Sequence, residues 1–321
     1  VGDGLRQMVV GLGLVTFGCV AQPDELRLEE GVSEELARHR RATLADLSYA
    51  YELSVPRDAG ALTGTLITQF TLRDDSNSPV VIDFKGPGER VRTVYVNGEA
   101  AEWTAVFDHL AIDGSAFATD AHNEVSIEFE AGDEALNRNP DFLYTLFVPD
   151  RAHFSLPIFD QPDLKAPFSL TLEIPSEWVA VANGVEVSQE LLDGGRTRYT
   201  YRETKPIPTY LLAFAVGGFQ IEEAEQGGRT FRMFHRETDT AKVARNLDAV
   251  FDLHATALDW LEDYTQIEYP YGKFDFVLLP PFQYGGMEHP GSIFYRQQSL
   301  LLDESATQNQ IIGRASLIAH E

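Results

Sequence analysis

Tyr284-Gly285-Gly286-Met287-Glu288-His289 and Leu317-Ile318-Ala319-His320-Glu321 are the two stretches on which the reading of this chain turns. The first is a Gly-Gly turn followed by one acid. Two adjacent glycines let a backbone approach a ligand closely, and their N–H groups can face a substrate carbonyl. An acid directly after them can hold a cationic group. An ordinary turn with an exposed glutamate fits the same residues, and that alternative stays open at this point. The second stretch reads as a helix that reaches a His-Glu pair. That pair is the first half of His-Glu-x-x-His, whose two histidines share one helix face and can chelate zinc, with the glutamate as general base. A structural His-Glu pair fits half a motif equally well.

Outward from these stretches, the preceding hundred residues alternate helix and strand signals. Asp239 is a plausible N-cap for a long helix to Tyr264, with Val243, Leu247, Val250, Phe251, Leu258 and Leu261 at helical spacing. Phe274–Leu279 reads as a short apolar strand, and Thr307 with Gln310 as a capping box opening the last helix. Before residue 220 the signal is strands. Val125, Ile127 and Phe129 alternate with polar residues, as do Phe168, Leu170, Leu172 and Ile174, and Tyr199 and Tyr201. This predicts half-buried antiparallel strands, with Asn97-Gly98, Asn183-Gly184 and Gly194-Gly195 as turns and Tyr210–Val216 as a further strand. A short polar helix is expected over Ser33–Leu47. The architecture expected is an all-β antiparallel domain followed by the start of an α+β domain.

Composition narrows the function classes. The 321 residues suggest about two domains, and 44% apolar content is ample for packed cores. Fifty acids against 25 Lys and Arg give a formal charge of −25, which disfavours a nucleic-acid partner. The single cysteine, Cys19, rules out an internal disulfide. Met8–Gly18 is an apolar run of leader length, with Arg6 before it and Gly18-Cys19 at its end. It resembles a bacterial lipoprotein signal, which implies lipidation of Cys19, membrane attachment and a periplasmic or outer-membrane location. A plain secretory leader or a buried strand fits it as well.

Four segments in order resemble the M1 family of zinc aminopeptidases, the aminopeptidase N-like gluzincins. They are Phe159-Asp-Gln-Pro-Asp-Leu-Lys-Ala166, Tyr210–Phe219, Gly285–Arg296 with Tyr271–Pro280 before it, and Leu317–Glu321. The resemblance implies a saddle-like β domain over 25–220, after a leader at 1–24. It implies the first part of a thermolysin-like catalytic domain over 221–321. It further implies that Glu288 binds the substrate α-amine, that Gly285, Gly286 and Met287 line the substrate, and that His320 is a zinc ligand with Glu321 as general base. The substrates implied are peptides with a free N-terminus. Because a second histidine would lie past Glu321, the chain as it stands is expected to hold no zinc and to be inactive. Two departures stand out. His289 replaces the usual Asn, placing a titratable group beside the amine site, and Tyr144–Pro149 lacks the usual Gln or Glu. His153 stands where Arg is frequent, and Asp160 with Lys165 reads as a structural pair in a buried turn. A non-enzymatic β-sandwich binding module or pseudo-enzyme, and within the family an epoxide hydrolase, remain as alternatives.

Overall fold

A computed structural model describes residues 27–321 apart from 59, 75 and 87. The leader and Cys19 lie outside the described residues. Among the described residues no helix is long and apolar enough to cross a membrane.

The chain enters through a helix, Glu34–Thr43. Ser33 caps it by accepting from the Leu36 N–H at 3.1 Å, and Glu34, Glu35, Arg40 and Arg41 match its dipole at the two ends. It stops at Thr43, short of the expected Leu47. From Leu44 the alternation Tyr49, Tyr51, Leu53 takes over, and Leu44–Ser54 pairs as a strand with Thr63–Leu72. A bulge at Asp46, with φ 54°, absorbs the change.

That strand sits inside an eight-stranded sheet. Its order is Glu186–Leu192, Arg196–Tyr201, Phe168–Pro175, Leu44–Ser54, Thr63–Leu72, Ala121–Glu130, Val91–Val96, Glu99–Ala100. The sheet is antiparallel except where Leu44–Ser54 meets Phe168–Pro175 in parallel, Tyr49 opposite Phe168. A three-stranded sheet (Val80–Asp83, His109–Ile112, Trp103–Val106) and a four-stranded sheet (Val179–Ala182, Phe214–Gly217, Phe142–Thr145, Leu136–Asn139) complete this β region. Asn97-Gly98 and Gly194-Gly195 are tight turns with positive φ, as expected. Asn183-Gly184 is not a hairpin turn. It is the bend where the chain leaves one sheet for another, and a side chain at Gly184 would overlap the Arg202 carbonyl. Tyr210–Val216 divides into a 3-10 turn, Thr209–Leu211, and a strand from Phe214.

From Gln220 a separate five-stranded sheet begins, in the order Gln220–Gln226, Arg229–His235, Phe274–Leu279, Ser292–Arg296, Gly286–Met287. The helix Thr240–Thr265, capped by Asp239, makes the crossover between parallel strands. Every residue of Phe274–Leu279 is buried, as a strand covered on both faces requires. Phe276, Leu278, Ile293 and Tyr295 face the two main helices, meeting Val250, Leu258 and Ile318. Val277, Leu279, Met287 and Phe294 face the other way, onto Tyr144, Val181 and Ala215 of the β region.

The lead-in segment is tied down by a buried charge cluster. Arg40 forks onto Asp83 at 2.5 and 2.8 Å, and His109 Nδ1 lies 2.7 Å from the same carboxylate. Asp160 contributes its backbone N–H to Asp83, and its own carboxylate accepts from His153 at 2.7 Å and Thr209 at 2.6 Å. Asp160 is thus a buried anchor, but its partners are His153 and Thr209; Lys165 is exposed. Burial raises the Asp83 carboxyl, yet Arg40 and His109 outweigh it and bring its pKa to about 2. The other ring nitrogen of His109 faces the carbonyls of Glu29 (2.9 Å) and Gly31 (3.1 Å). Both nitrogens therefore face acceptors, which calls for the doubly protonated ring. Burial opposes that charge, but the Asp83 hydrogen bond and charge hold the His109 pKa above its ordinary 6.5. A group raised on folding stabilises fully below its unfolded pKa and loses that contribution as pH climbs through the folded one. Amide protection of Glu34–Thr43, corrected for intrinsic exchange, is expected to fall as pH rises above about 6.5 and to lose this dependence in His109→Gln. Protection that ignores pH in the unsubstituted protein would contradict the assignment.

Candidate active site

The last helix, Gln308–His320, opens on the expected capping box of Thr307 and Gln310. Its rotation is set from inside. Arg314 is buried and donates to Asn246 Oδ1 at 2.8 Å, while Asn246 donates to the Leu302 carbonyl at 2.9 Å. With Ile318 also turned inward, Leu317 and Glu321, one turn apart, share the face that meets the sheet edge. Leu317 lies over Gly285, where a Cβ would stand 3.1 Å from its Cδ1. Glu321 lies over Gly286, and a Cβ there would overlap the Glu321 carboxylate. The two stretches singled out in the sequence thus meet, and the glycine is what lets the carboxylate down onto the strand.

Gly286–Met287 is held in place by an antiparallel pairing with Ser292–Arg296, Gly286 opposite Tyr295 and Met287 opposite Phe294. Arg296 donates to the carbonyls of Phe282 (3.0 Å) and Gln283 (2.8 Å), fixing the approach to the strand. The exit is fixed by Asn183, which donates to the Leu211 and Pro290 carbonyls, each at 3.0 Å, and accepts from the Ala213 N–H at 2.7 Å. Gly291 passes so close to the Asn183 carbonyl, with φ +74°, that no side chain fits.

The alternation along this edge sorts the expected site residues. Gly286 and Glu288 lie on the side of Glu321, and both carboxylates line a cavity of about 340 Å3 with Leu258, Phe274, Ile293 and Ile318. Met287 points away, its side chain buried in the seam with the β region, so only its backbone can line a substrate. Glu288 is exposed. His320 is also exposed. Burial pushes the Glu321 carboxyl above the ordinary range, and the negative charge of Glu288 adds to this, against a smaller opposite pull from His320.

His289 does not supply a titratable group beside the amine site. Its ring is fully buried, packs edge-on against Phe294 at 4.7 Å, and has no hydrogen-bond partner at either nitrogen among the described residues. Burial alone takes its pKa to about 3. Tyr144 is likewise part of the seam, donating to the Pro281 carbonyl at 2.7 Å, and Leu146 is buried beside it. Two further residues escaped the sequence reading. His254 sits in the apolar stripe of the long helix and Tyr295 in an apolar strand, so each reads there as ordinary core.

As for a metal, among the described residues no group of three or more His, Cys, Asp or Glu side chains is assembled to hold one. The donor types at the helix end, an exposed imidazole beside a carboxylate, fit a share of a zinc site.

This β region is joined to a sheet-and-helix unit in which two carboxylates, Glu288 and Glu321, line one cavity. The Peptidase M1 N-terminal domain matches residues 116–211, and the Peptidase family M1 domain matches 249–321. The chain belongs to the M1 peptidase family. Aminopeptidase M1-C of Oryza sativa subsp. japonica is 30% identical over 281 residues, 85% of this chain and 29% of that protein. Glutamyl aminopeptidase of Mus musculus is 35% identical over 179 residues, 54% of this chain and 18% of that protein. Puromycin-sensitive aminopeptidase of Caenorhabditis elegans is 32% identical over 180 residues, 55% and 19% respectively. The chain spans less than a third of the length of these relatives.

Two outcomes are expected. Asn183→Ala leaves the Ala213 N–H and two carbonyls unpaired inside the protein, and should cost about 3 kcal/mol in chemical denaturation. A loss under about 0.5 kcal/mol would mean that water replaces the side chain. Secondly, His254, brought by burial to about 4, and His289 stay neutral when folded. Depressed histidines bind fewer protons folded than unfolded, so they lower stability as pH falls below about 6.5. Their imidazole NMR signals should not move between about pH 5 and 8; a midpoint near 6.5 for either would contradict the burial argument.

Proposed function

We propose that this chain supplies the amine-recognition and catalytic-base elements of a zinc-dependent aminopeptidase that removes N-terminal residues from peptides. The observation that carries the reading is the meeting of Glu288 and Glu321, distant in sequence, on one side of the Gly285-Gly286 edge. The names of the relatives, all aminopeptidases, support it.

Each residue then has a task that its place allows. Glu288 receives the α-ammonium group, and an acid that demands a cationic partner beside the substrate strand restricts cleavage to the first bond. Backbone at Gly285 and Gly286 lines the extended substrate, since only glycine leaves room there beside Leu317 and Glu321. Glu321 takes the proton of the attacking water. His320 would hold the zinc together with ligands beyond those described. Zinc, when bound, polarises the scissile carbonyl and makes water acidic enough to attack at neutral pH. Met287 holds the strand and takes no part through its side chain.

The leader reading belongs to the same proposal. The apolar run Met8–Gly18 and the Gly18-Cys19 junction support export in a bacterium, with lipidated Cys19 as a membrane anchor.

In the zinc-loaded natural gene product, Glu288→Gln should lower kcat/KM for aminoacyl anilides about 100-fold, mostly through KM. Glu321→Gln should lower kcat about 1,000-fold or more with little change in KM. Equal cleavage of free and N-acetylated substrates would remove Glu288 from the amine role, and a fully active Glu321→Gln would remove the base.

A further inference from the structure

The turn that follows Glu288 is held from three sides. It runs through His289, Pro290 and Gly291 into the strand Ser292–Arg296. Gly291 is buried, and its N–H donates to the Tyr269 hydroxyl at 2.8 Å. Its carbonyl accepts from Lys273 Nζ at 2.5 Å and from the Asp275 N–H at 3.2 Å. The third tie runs from Asn183 of the β region to the Pro290 carbonyl. A peptide group kept from water has to be paired, so each of these bonds is expensive to lose. Inside the turn the His289 N–H returns to the Met287 carbonyl at 2.9 Å, and the Ser292 N–H to the His289 carbonyl at 3.0 Å. Pro290 fixes its own φ, and the His289 ring is packed on Phe294. Glu288 thus stands between Met287, which is paired with Phe294, and a turn with little freedom, while its own side chain is exposed.

The two side chains that grip Gly291 are themselves fixed. Both lie in the connection between the long helix and Phe274–Leu279. The Tyr269 N–H donates to Glu262 of that helix at 2.5 Å, and Arg229 reaches both oxygens of the same carboxylate at 2.6 and 2.8 Å. The Tyr269 ring packs against Phe274 at 5.2 Å and Tyr271 at 5.3 Å, and it lines the cavity shared by Glu288 and Glu321. The Lys273 side chain is only 9% exposed and pairs with Asp275 at 2.7 Å. Arg232 forks onto that same Asp275 at 2.6 and 2.8 Å. With its charge balanced inside the protein, the Lys273 ammonium can spend a donor on the Gly291 carbonyl.

We propose that Tyr269 and Lys273 are positioning residues for Glu288. By clasping the two polar groups of Gly291 they fix the turn that carries Glu288, and so set where its carboxylate meets the α-ammonium group of a substrate. This rests on the reading of Glu288 as the amine receptor and adds two residues to it, both acting through the Gly291 backbone. Asn183 closes the clasp from the β region, so the turn is tied to both parts of the chain. The clasp matters because Glu288 is exposed. An ion pair at an exposed carboxylate is weak unless its geometry is held, since ordering both partners costs entropy. A turn fixed beforehand removes part of that cost from binding.

The test uses the zinc-loaded natural gene product. Tyr269→Phe keeps the ring and removes the acceptor for the Gly291 N–H. It is expected to raise KM for an aminoacyl anilide about fivefold or more, with kcat within about twofold. Lys273→Met should act in the same direction but less, about two- to threefold, because the Asp275 N–H still serves the Gly291 carbonyl and Arg232 still pairs with Asp275. The second readout is inhibition by an amino-acid hydroxamate and by the same hydroxamate without its amine. Tyr269→Phe should weaken only the first, by the factor seen in KM. Loosening of the fold alone lowers Tm and leaves the ratio of the two inhibition constants where it was. Combined with Glu288→Gln, Tyr269→Phe should raise KM no further, because no carboxylate remains to be placed. An unchanged inhibitor ratio in Tyr269→Phe, or a KM effect that adds to that of Glu288→Gln, overturns the proposal; if Lys273→Met does not fold, Tyr269→Phe decides alone. If Glu288→Gln itself leaves KM and the inhibitor ratio unchanged, the amine reading fails and the proposal falls with it. A collapsed ratio in Glu288→Gln beside a normal one in Tyr269→Phe keeps the amine reading and removes the positioning role alone.

Discussion

The burial of Phe274–Leu279 on both faces is the constraint from which the site follows. A strand covered on both sides needs an apolar partner above and below. Above it lie the helices Thr240–Thr265 and Gln308–His320; below it lies the β region around Tyr144, Val181 and Ala215. The neighbouring strands inherit the same two-sided environment. Each side chain along Gly286–His289 is therefore committed by its parity, or by the tight turn after it, to the helix side or to the seam. Glu288 goes to the helix side, and Met287 and His289 are lost to the apolar interior.

Close approach then does the rest. Gly285 and Gly286 take no space, so Leu317 and Glu321 settle directly over the strand. The internal Arg314–Asn246–Leu302 bonds choose which face of the last helix turns inward, and so determine that Glu321 and not a neighbour arrives there. Burial raises the proton affinity of the Glu321 carboxyl there, and the like charge of Glu288 adds to it. The lead-in helix is secured by a different device, a buried ion cluster around Asp83, whose Arg40 and His109 come from opposite ends of the β region's first half. Breaking one partner there would leave an uncompensated charge in the interior, which is why such clusters hold segments in place even where they add little net stability.

Much of this was legible in the residues. Asp239 and Thr307 announce their helices because caps are local chemistry, and the alternation of Phe168 to Ile174 announces a strand because side chains alternate across a sheet. The order of the motifs pointed to the M1 family and to Glu288, His320 and Glu321. The places where the reading went astray share a cause. Leu44–Leu47 looked helical, and Asn183-Gly184 looked like a hairpin. In each case the outcome was decided by partners remote in sequence: Thr63–Leu72 for the first, and Leu211 and Pro290 for the second.

What the sequence determined by itself was the set of local elements, the family resemblance and the inventory of acids that could do chemistry, because caps, periodicity and motif order are written in neighbouring residues. What only the tertiary structure decided was which of those groups meet. A cross-strand register put Tyr295 opposite Gly286, one buried helix face put His254 behind it, and burial removed His289 from titration. Distances between residues far apart in the chain, and the dielectric around them, are properties of packing, and no short-range pattern encodes them.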